Sequence, residues 1–258
     1  MHAALEASSA DRLSVPRGNR GLPPIVRVLV VLAILAGTAA AFVVTEKLKI
    51  QRAPVGSPLF SQAFSPTCEC ETAVAELRFR VRKSDRVTAL VVDDEGAPVR
   101  TLLERKRIGR GPVTLEWDGR TDSATIAPDG LYRLRVDLAG EGRTIVFPST
   151  VRLDTRSPEV EIVRIGPSEI APTGELGGPR VRVVYRADEK AAAVILVDGT
   201  VAVHGRRRAP GRGRVAWRGT VNGELVAPGD YRLEFVVIDE AGNRSEPAVE
   251  VIVRVRPS

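Results

Sequence analysis

An internal duplication constrains the fold of this chain more than any other feature of its sequence. A Trp-x-Gly motif followed by an Ala-Pro…Tyr-Arg-Leu motif occurs in the first half and again, in the same order, 100 residues later for the Trp. Chance would not preserve the order of so many matches, so the sequence indicates two copies of one structural unit. The repeated signature positions are Trp117, Gly119, Pro128 and Tyr132 in the first copy and Trp217, Gly219, Pro228 and Tyr231 in the second.

Each copy has the pattern of short β-strands. Apolar and polar residues alternate over 75–81, 132–138 and 249–255, which predicts strands with one buried and one solvated face. A period of roughly 90 to 100 residues with about seven short strands is typical of an immunoglobulin-like sandwich. We therefore expect an all-β fold of two tandem Ig-like β-sandwiches, over 73–155 and 156–258, preceded by one transmembrane α-helix.

The repeated Trp, Gly, Pro and Tyr residues are expected to specify this fold and not to bind a ligand. Aromatic residues make up only 4% of the chain, so each core must consist mainly of Val, Leu, Ile and Ala. A Trp that ends a strand before Gly can cover such a core while the chain turns. The Tyr that follows can bury its ring while its hydroxyl bonds to the backbone, as in a tyrosine corner.

The N-terminal region predicts a membrane anchor. Residues 28–44 are 17 consecutive uncharged residues, and the preceding Ile-Val-Arg extends the segment to 25–44, enough to cross a bilayer as a helix. We predict a disordered cytoplasmic tail at 1–24, a transmembrane signal anchor at 25–44 and a juxtamembrane spacer at 45–72. Four basic residues before the segment and three after it favour a cytoplasmic N-terminus. The alternative is a cleaved signal peptide with its site near 38–41. Both readings predict that the domains are extracytoplasmic, and the first predicts a single-pass cell-membrane protein.

The segment 117–136 resembles the second half of the Ig-like domain of flagellar hook-capping proteins, the FlgD-like domain, which also occurs in many bacterial surface proteins. Phe64, Ser65 and Pro66 resemble its opening, but the usual Asn-Gly-Asp-Gly is replaced by 67–70, Thr-Cys-Glu-Cys. The resemblance covers about 64–255 and implies an Ig-like fold at a bacterial surface. It does not imply a flagellar role, because hook-capping proteins lack a transmembrane anchor. Arg accounts for 33 of the 38 basic residues, since only five are Lys; this suggests a GC-rich genome and an actinobacterial-type protein.

Cys68 and Cys70 form a Cys-x-Cys within the predicted juxtamembrane spacer. In an oxidising compartment the two thiols can bond to each other as a local staple, or bridge two chains. A redox role is a further alternative. Two thiolates alone are too few for a zinc site, so we predict no metal here.

Two basic clusters are candidates for binding an anionic partner. They are predicted to occupy equivalent loops before the Trp strand of each copy, where they could contact phospholipid headgroups or acidic envelope polymers, or else be simply solvated. Aromatic residues are not interleaved with them, which argues against nucleic-acid binding. The clusters are Arg105, Lys106, Arg107 and Arg110 in the first copy and Arg206, Arg207, Arg208 and Arg212 in the second.

The sequence contains no recognisable catalytic constellation. After the predicted anchor there is one histidine, His204, and there is neither a Gly-x-Ser-x-Gly motif nor a phosphate-binding loop. The acidic run 93–95 has the composition of a turn. We therefore predict a non-enzymatic, cofactor-free binding or scaffold protein that faces envelope polymers or a protein partner. The alternatives are an accessory subunit of a secretion, division or motility assembly, or a thiol-based redox sensor.

Overall fold

The computed structural model describes residues 23–50, 54–173 and 177–257. The chain divides after Ala53 into two compact units. The first contains the N-terminal helix, and the second contains the β-structure. Most of the predicted tail, 1–22, lies outside the described residues.

The helix α1 runs from Pro24 to Ile50 and includes the whole predicted anchor. Its large apolar side chains, from Ile25 to Phe42, are exposed within this unit. The side chains of 43–50 are outside the described part. Among the residues that the structure does describe, no helix has both the length and the apolar character required to cross a membrane.

The first β-sandwich follows directly. Its strands are β1 Val55–Phe60, β2 Ala63–Phe64, β3 Ala75–Val81, β4 Asp85–Val92, β5 Pro98–Ile108, β6 Gly111–Trp117, β7 Gly130–Leu138 and β8 Arg143–Leu153. A three-stranded sheet in the order β1-β3-β6 packs on a five-stranded sheet in the order β2-β8-β7-β4-β5. The short β2 pairs with β8 in parallel, and the other pairings are antiparallel.

The second sandwich repeats this topology. Its strands are β9 Val160–Gly166, β10 Glu169–Ile170, β11 Val181–Ala187, β12 Ala191–Val197, β13 Thr200–Arg208, β14 Gly211–Trp217, β15 Thr220–Val221, β16 Glu224–Leu225, β17 Gly229–Ile238 and β18 Val249–Val255. The sheet β14-β11-β9 packs on β10-β18-β17-β12-β13, and β15 and β16 form a small hairpin. The parallel pair β10–β18 corresponds to β2–β8.

The alternating sequence pattern accounts for the cores. In β3 the residues Ala75, Leu77, Phe79 and Val81 are buried, while the charged residues between them point outward. Strand β12 is apolar at every position and buried along its whole length, because Ala193, Ile195 and Val197 pack in the second core while Val194 and Leu196 pack with Val236 in a separate cluster. Each sandwich therefore has its own hydrophobic core, centred on a fully buried Trp117 or Trp217.

The prediction that 45–72 is a spacer was wrong in its second part. Strands β1 and β2 lie within it, and Val55, Ala63 and Phe64 are buried in the first core. The alternation rule missed β1 because its pairing with β3 shifts register between Gly56 and Leu59. A bulge of this kind breaks the period of two, and the Pro and Ser content of the segment is atypical of a strand.

Candidate functional site

The first basic cluster was predicted to lie in a loop, but it lies mostly on a strand. Arg105, Lys106 and Arg107 are exposed residues of β5, an edge strand, and only Arg110 lies in the turn to β6. Arg105 has a positive φ of 44°, at a register shift in the pairing with β4. The bulge interrupts the alternation, and an edge strand can carry consecutive charges because its outer side faces water.

The second basic cluster also lies on an edge strand. Arg206, Arg207 and Arg208 are exposed at the end of β13, after a register shift in its pairing with β12. The Nε of Arg207 donates a hydrogen bond to the Asp239 carbonyl oxygen at 3.3 Å. Arg212 is on the next strand, β14.

Arg110 and Arg212, the last members of the two clusters, do not occupy equivalent positions. Gly111 begins β6 and Gly211 begins β14, and both have a positive φ. The residue of the first sandwich that corresponds to Arg212 is therefore Pro112. Gly-Arg-Gly occurs at 109–111 and again at 211–213, but the strands align Gly111 with Gly211, so the two tripeptides lie two residues out of register.

The structure joins the second cluster to a set of arginines that sequence analysis missed. Arg208 and Arg212 line a depression with Arg214 on the outer face of β14-β11-β9. Two adjoining depressions on the same face are lined by further arginines, Arg164, Arg180 and Arg182. The signal that could have revealed them is the alternate spacing of Arg180 and Arg182 on one strand and of Arg212 and Arg214 on its neighbour. We call this surface the arginine face, comprising Arg164, Arg180, Arg182, Arg208, Arg212 and Arg214.

Cys68 and Cys70 are joined by a disulfide bond in the loop between β2 and β3. This loop lies against the turn between β17 and β18 of the second sandwich. The Oγ1 of Thr72 donates a hydrogen bond to the Ala241 carbonyl oxygen at 2.6 Å. A Cβ added to Gly242 would lie only 2.5 Å from the Cys70 Sγ, so the sulfur packs directly on this turn.

The same turn forms a buried polar junction between the sandwiches. Asp239 is almost fully buried, and its Oδ1 accepts hydrogen bonds from the backbone N–H groups of Gly242 and Asn243 at 2.7 and 2.8 Å. The Asn243 Nδ2 donates to the Asp239 Oδ2 and to the Asp154 carbonyl oxygen, both at 2.8 Å. Asp154 directly follows β8, so Asn243 ties the second sandwich to the end of the first.

Three carboxylates gather at this junction. Asp154, Glu189 and Asp239 offer oxygens that lie within 4.8 Å of one another. Burial raises the pKa of Glu189, and the nearby Asp239 carboxylate raises it further, whereas Arg156 lowers it. The Arg156 guanidinium reaches both Asp188 and Glu189 at 3.2 Å. The carboxylates of this cluster are therefore stabilised by the Arg156 guanidinium and by N–H donors of Gly242 and Asn243.

The repeated signature residues occupy matching places in the two sandwiches. The Nε1 atoms of Trp117 and Trp217 donate to the Arg120 and Thr220 carbonyl oxygens, each at 2.9 Å. The Tyr132 hydroxyl donates to the Pro128 carbonyl oxygen at 2.5 Å, and the Tyr231 hydroxyl donates to that of Ala227, next to Pro228, at 2.8 Å.

These tyrosines lie beside the tryptophans. The ring centroids of Trp117 and Tyr132 are 4.8 Å apart, and those of Trp217 and Tyr231 are 6.2 Å apart. Burial raises the pKa of Tyr132, with the Asp93 and Asp129 carboxylates adding to the effect. Gly119 and Gly219 both have φ near +75°, at 73° and 77°. These contacts indicate that the repeated Trp, Gly, Pro and Tyr residues have a structural role in each sandwich.

Two remaining candidates have local roles. In the acidic run, the Asp93 Oδ1 accepts a hydrogen bond from the Ala97 N–H at 2.7 Å, and the Asp94 carboxylate pairs with Arg133. His204 is an exposed residue of β13, paired in the ladder with Val194. Among the described residues, no hydrogen bond links the His204 side chain to a nucleophile.

No family model matches this chain. It is similar to the basal-body rod modification protein FlgD of Salmonella typhimurium, with 35% identity over 63 residues. That stretch is 24% of this chain and 27% of the relative, and the same protein of Salmonella typhi matches equally. The chain thus spans about a quarter of the length of these curated relatives. The matched stretch is shorter than the 64–255 over which the resemblance was expected.

Several solved structures are also similar to the chain. The fibronectin(III)-like modules of Clostridium thermocellum CbhA share 18% identity, cover 79% of this chain and 93% of their own, and give a TM-score of 0.43. FlgD from P. aeruginosa shares 18% identity, over 50% of this chain and 94% of its own, with a TM-score of 0.28. The fold assignment itself rests on the sheets and cores described above.

Proposed function

We propose that this protein is a non-enzymatic binding or scaffold protein of the bacterial cell surface, with two Ig-like sandwiches displayed outside the cytoplasmic membrane. The observation that carries the proposal is the polar junction that fastens the two sandwiches together through Thr72, Asn243 and the Cys68–Cys70 loop. Because the two sandwiches are joined in this way, their exposed strands keep a fixed position and orientation relative to each other. This property suits the display of a binding surface better than it suits bond-making chemistry.

The proposal includes anchoring through α1. The support is the run of 17 uncharged residues at 28–44 and the exposure of the large apolar side chains from Ile25 to Phe42. Contiguous apolar surface of this kind is normally covered by lipid or by a partner. Basic residues on both flanks, such as Arg20 and Lys47, suit an interface with anionic headgroups.

The partner in this proposal is an anionic polymer of the envelope or another envelope protein. The support is the set of exposed basic residues on the edge strands β5 and β13, and the net charge of +6. The similarity to FlgD over 63 residues suits a scaffold role. A subunit of an envelope assembly is the alternative form of this function.

Anchoring is tested with the full chain carrying a C-terminal tag. We expect the tag in the membrane fraction and accessible to protease on intact spheroplasts. The variant Leu32→Arg/Leu35→Arg should move the protein out of the membrane, because each charge at the centre of a spanning helix costs about 2.5–3.5 kcal/mol. The matched variant Leu32→Ile/Leu35→Ile should remain in the membrane fraction, because it adds no charge.

The proposal fails if the unmodified chain is recovered in the soluble fraction, or if the tag is protected from protease. Crosslinking in cells from a photoreactive residue at position 206, followed by identification of the captured species, then separates a polymer partner from a protein subunit.

A thiol-dependent sensor is a second candidate, favoured by the packing of the Cys70 Sγ on the Gly242 turn. Reduction would free a group that lies at the junction. Labelling of intact cells with a membrane-impermeant thiol reagent tests this idea. Cysteines that stay blocked under every redox condition that the cells survive would rule it out.

A further inference from the structure

The arginine face arises from strand register. On β11 the side chains of Val183 and Tyr185 are buried, so the alternate Arg182, Val184 and Arg186 point outward. On β14 the buried Gly213 and Trp217 place Arg212 and Arg214 on the same outer face. The pairing sets Arg186 opposite Arg212, and sets Val184 between Arg214 on one side and Arg164 of β9 on the other.

The register extends the pattern by one more step. Arg180 and Arg218 continue the outward positions of β11 and β14 beyond the last pair, Val181–Trp217. Outward residues on one strand are about 6.7 Å apart and neighbouring strands are about 4.8 Å apart. Together with Arg186 and Arg218, the arginine face therefore carries a two-dimensional array of guanidinium groups over roughly 20 Å of strand length.

The side chains of this array lack internal partners. Within the described ranges, 23–50, 54–173 and 177–257, no ion pair or side-chain hydrogen bond involves Arg164, Arg182, Arg212 or Arg214. Some arginines elsewhere are paired, as Arg156 is with Asp188 and Glu189, whereas others in these ranges, such as Arg80 and Arg143, also lack a side-chain partner. The acidic Glu161 is opposite Arg186 in the ladder, and it is the carboxylate closest in register to the array.

Two donors of this array are also buried without an acceptor. The Nε atoms of Arg180 and Arg218 are inaccessible to solvent and have no hydrogen-bond partner among the described residues. A buried donor without a partner is destabilising, and more so when the group is charged. This end of the face therefore has more donors than acceptors among the described residues.

The surface between the arginines is concave. Three depressions of about 360, 490 and 430 Å³ adjoin one another, and all three share Val184. Arg214 is common to the first two, and Arg182 to the last two. Together they form one extended site with arginines along its length.

The corresponding face of the first sandwich differs. Its outward positions on β3 include Glu76, Arg78 and Arg80, and Glu76 forms an ion pair with Arg78. Position 112 on β6, which matches Arg212, is a proline. The array is therefore a property of the second sandwich and not of the duplicated fold.

From these observations we infer that the arginine face binds a linear phosphodiester polymer without bases, such as a polyol-phosphate chain of the cell envelope. Arginine forks match the oxygens of phosphate, and facing arginines on adjacent strands can contact one phosphate together. An extended array matches a chain that carries one anion per repeat. The inference rests on the proposed function for the envelope origin of that polymer.

Other polyanions fit the face less well. The outward positions of β9, β11 and β14 carry no aromatic ring in the described structure, so there is no platform on which nucleic-acid bases could stack. A carboxylate presents its two oxygens in one plane, whereas the oxygens of a phosphodiester are arranged tetrahedrally and can accept hydrogen bonds from arginines on adjacent strands.

The test uses the full chain in detergent and a synthetic poly(glycerol phosphate) as the probe. The face variant is Arg164→Gln/Arg182→Gln/Arg214→Gln. The control is Arg78→Gln/Arg80→Gln/Arg82→Gln, which removes the same charge from the matching face of the first sandwich. We expect the face variant to bind at least about tenfold more weakly, with a shallower dependence on salt, and the control to bind like the unmodified chain.

A second variant guards against misfolding. Arg→Lys at the same three positions keeps the charge but loses the planar fork, and it should bind with an intermediate affinity. The circular dichroism spectrum and the melting temperature of each variant report its folding. Poly-glutamate and a single-stranded oligonucleotide of equal charge serve as competing polyanions.

Equal weakening by the control variant, or no binding of the probe, would overturn the inference. Tighter binding of poly-glutamate or of the oligonucleotide would overturn the choice of phosphodiester polymer. These results are independent of the location of the protein. A chain that binds the probe but fractionates as soluble would contradict the proposed function and the envelope origin of the polymer, while the binding of a phosphodiester polymer by the arginine face would stand.

Discussion

At the scale of single residues, the two tryptophans show how the sequence encodes each core. Trp117 and Trp217 are fully buried, and each indole N–H is bonded to a carbonyl oxygen three residues ahead. The Trp-x-Gly spacing therefore closes a turn and fills a core with one short motif. The sequence was sufficient to recognise these residues as fold-specifying, because their chemistry acts locally.

The glycine of this motif provides a sharp test. Gly119 has φ of +73°, and an added Cβ would lie 2.8 Å from the Pro66 Cγ. We expect Gly119→Ala to lower the free energy of unfolding by about 1–2 kcal/mol through the strained backbone conformation. Overpacking against Pro66 should lower it by a further roughly 1–3 kcal/mol. Denaturant unfolding of the full chain measures the loss.

Gly96→Ala is the matched control for Gly119→Ala. Gly96 has φ of +88°, and no described atom lies within 4 Å of its added Cβ. It should therefore show the backbone cost alone. Equal losses for the two variants would mean that the Pro66 contact contributes nothing.

At the scale of elements, strict alternation identified some strands, and register shifts concealed others. β3, β7 and β18 follow the period of two, and the sequence identified them. β1 and the basic ends of β5 and β13 contain register shifts. At a bulge, two residues on one strand face one on the other, so the side-chain period is lost although the ladder continues.

The pairing of strands determines which side chains are in contact across a sheet. Tyr185 on β11 is opposite Gly213 on β14, and its ring covers the glycine. We expect Gly213→Ala to destabilise the second sandwich by about 1–3 kcal/mol, because the new methyl group would overlap the ring.

A double-mutant cycle tests this contact. Gly213→Ala should cost much less in a Tyr185→Leu background, since the obstructing ring is gone. Unfolding free energies of the four chains give the coupling. Additive effects would show that the ring and the glycine are energetically independent.

At the scale of the whole molecule, the junction between the sandwiches depends on residues far apart in sequence. Asn243 reaches Asp154 across 89 positions, and Thr72 reaches Ala241 across 169. Residues 239–243 lie in the turn between β17 and β18, within the second sandwich. Its contact with the first sandwich required the folded chain.

We expect Asn243→Ala to cost about 1–3 kcal/mol, because the Asp154 carbonyl oxygen and a buried Asp239 oxygen lose their donor. Asn243→Asp, which keeps the shape but replaces the donor by a carboxylate facing Asp239, should cost more. Thermal unfolding measures the cost, and small-angle scattering reports whether the sandwiches separate. An Asn243→Asp variant as stable as the unmodified chain would contradict this account of the junction.

The arginine face is also a property of the whole molecule. Arg164, Arg182 and Arg214 are 18 and 32 residues apart along the chain, and no local motif links them. They meet because β9 and β14 pair on either side of β11. Sequence analysis placed its candidate anionic sites on the clusters 105–107 with Arg110 and 206–208 with Arg212, since runs of charge are visible in sequence and a cross-strand array is not.

The sequence by itself determined the duplication, the β character and the residues that cap each core, because these depend on periodicity and on turns between near neighbours. Only the tertiary structure decided that 55–64 belongs to the first sandwich, that a buried amide fastens the two sandwiches, and that scattered arginines share one concave face. Each of these depends on strand register or on long-range contact. A shift of one residue in register would turn every outward arginine of a strand toward the core.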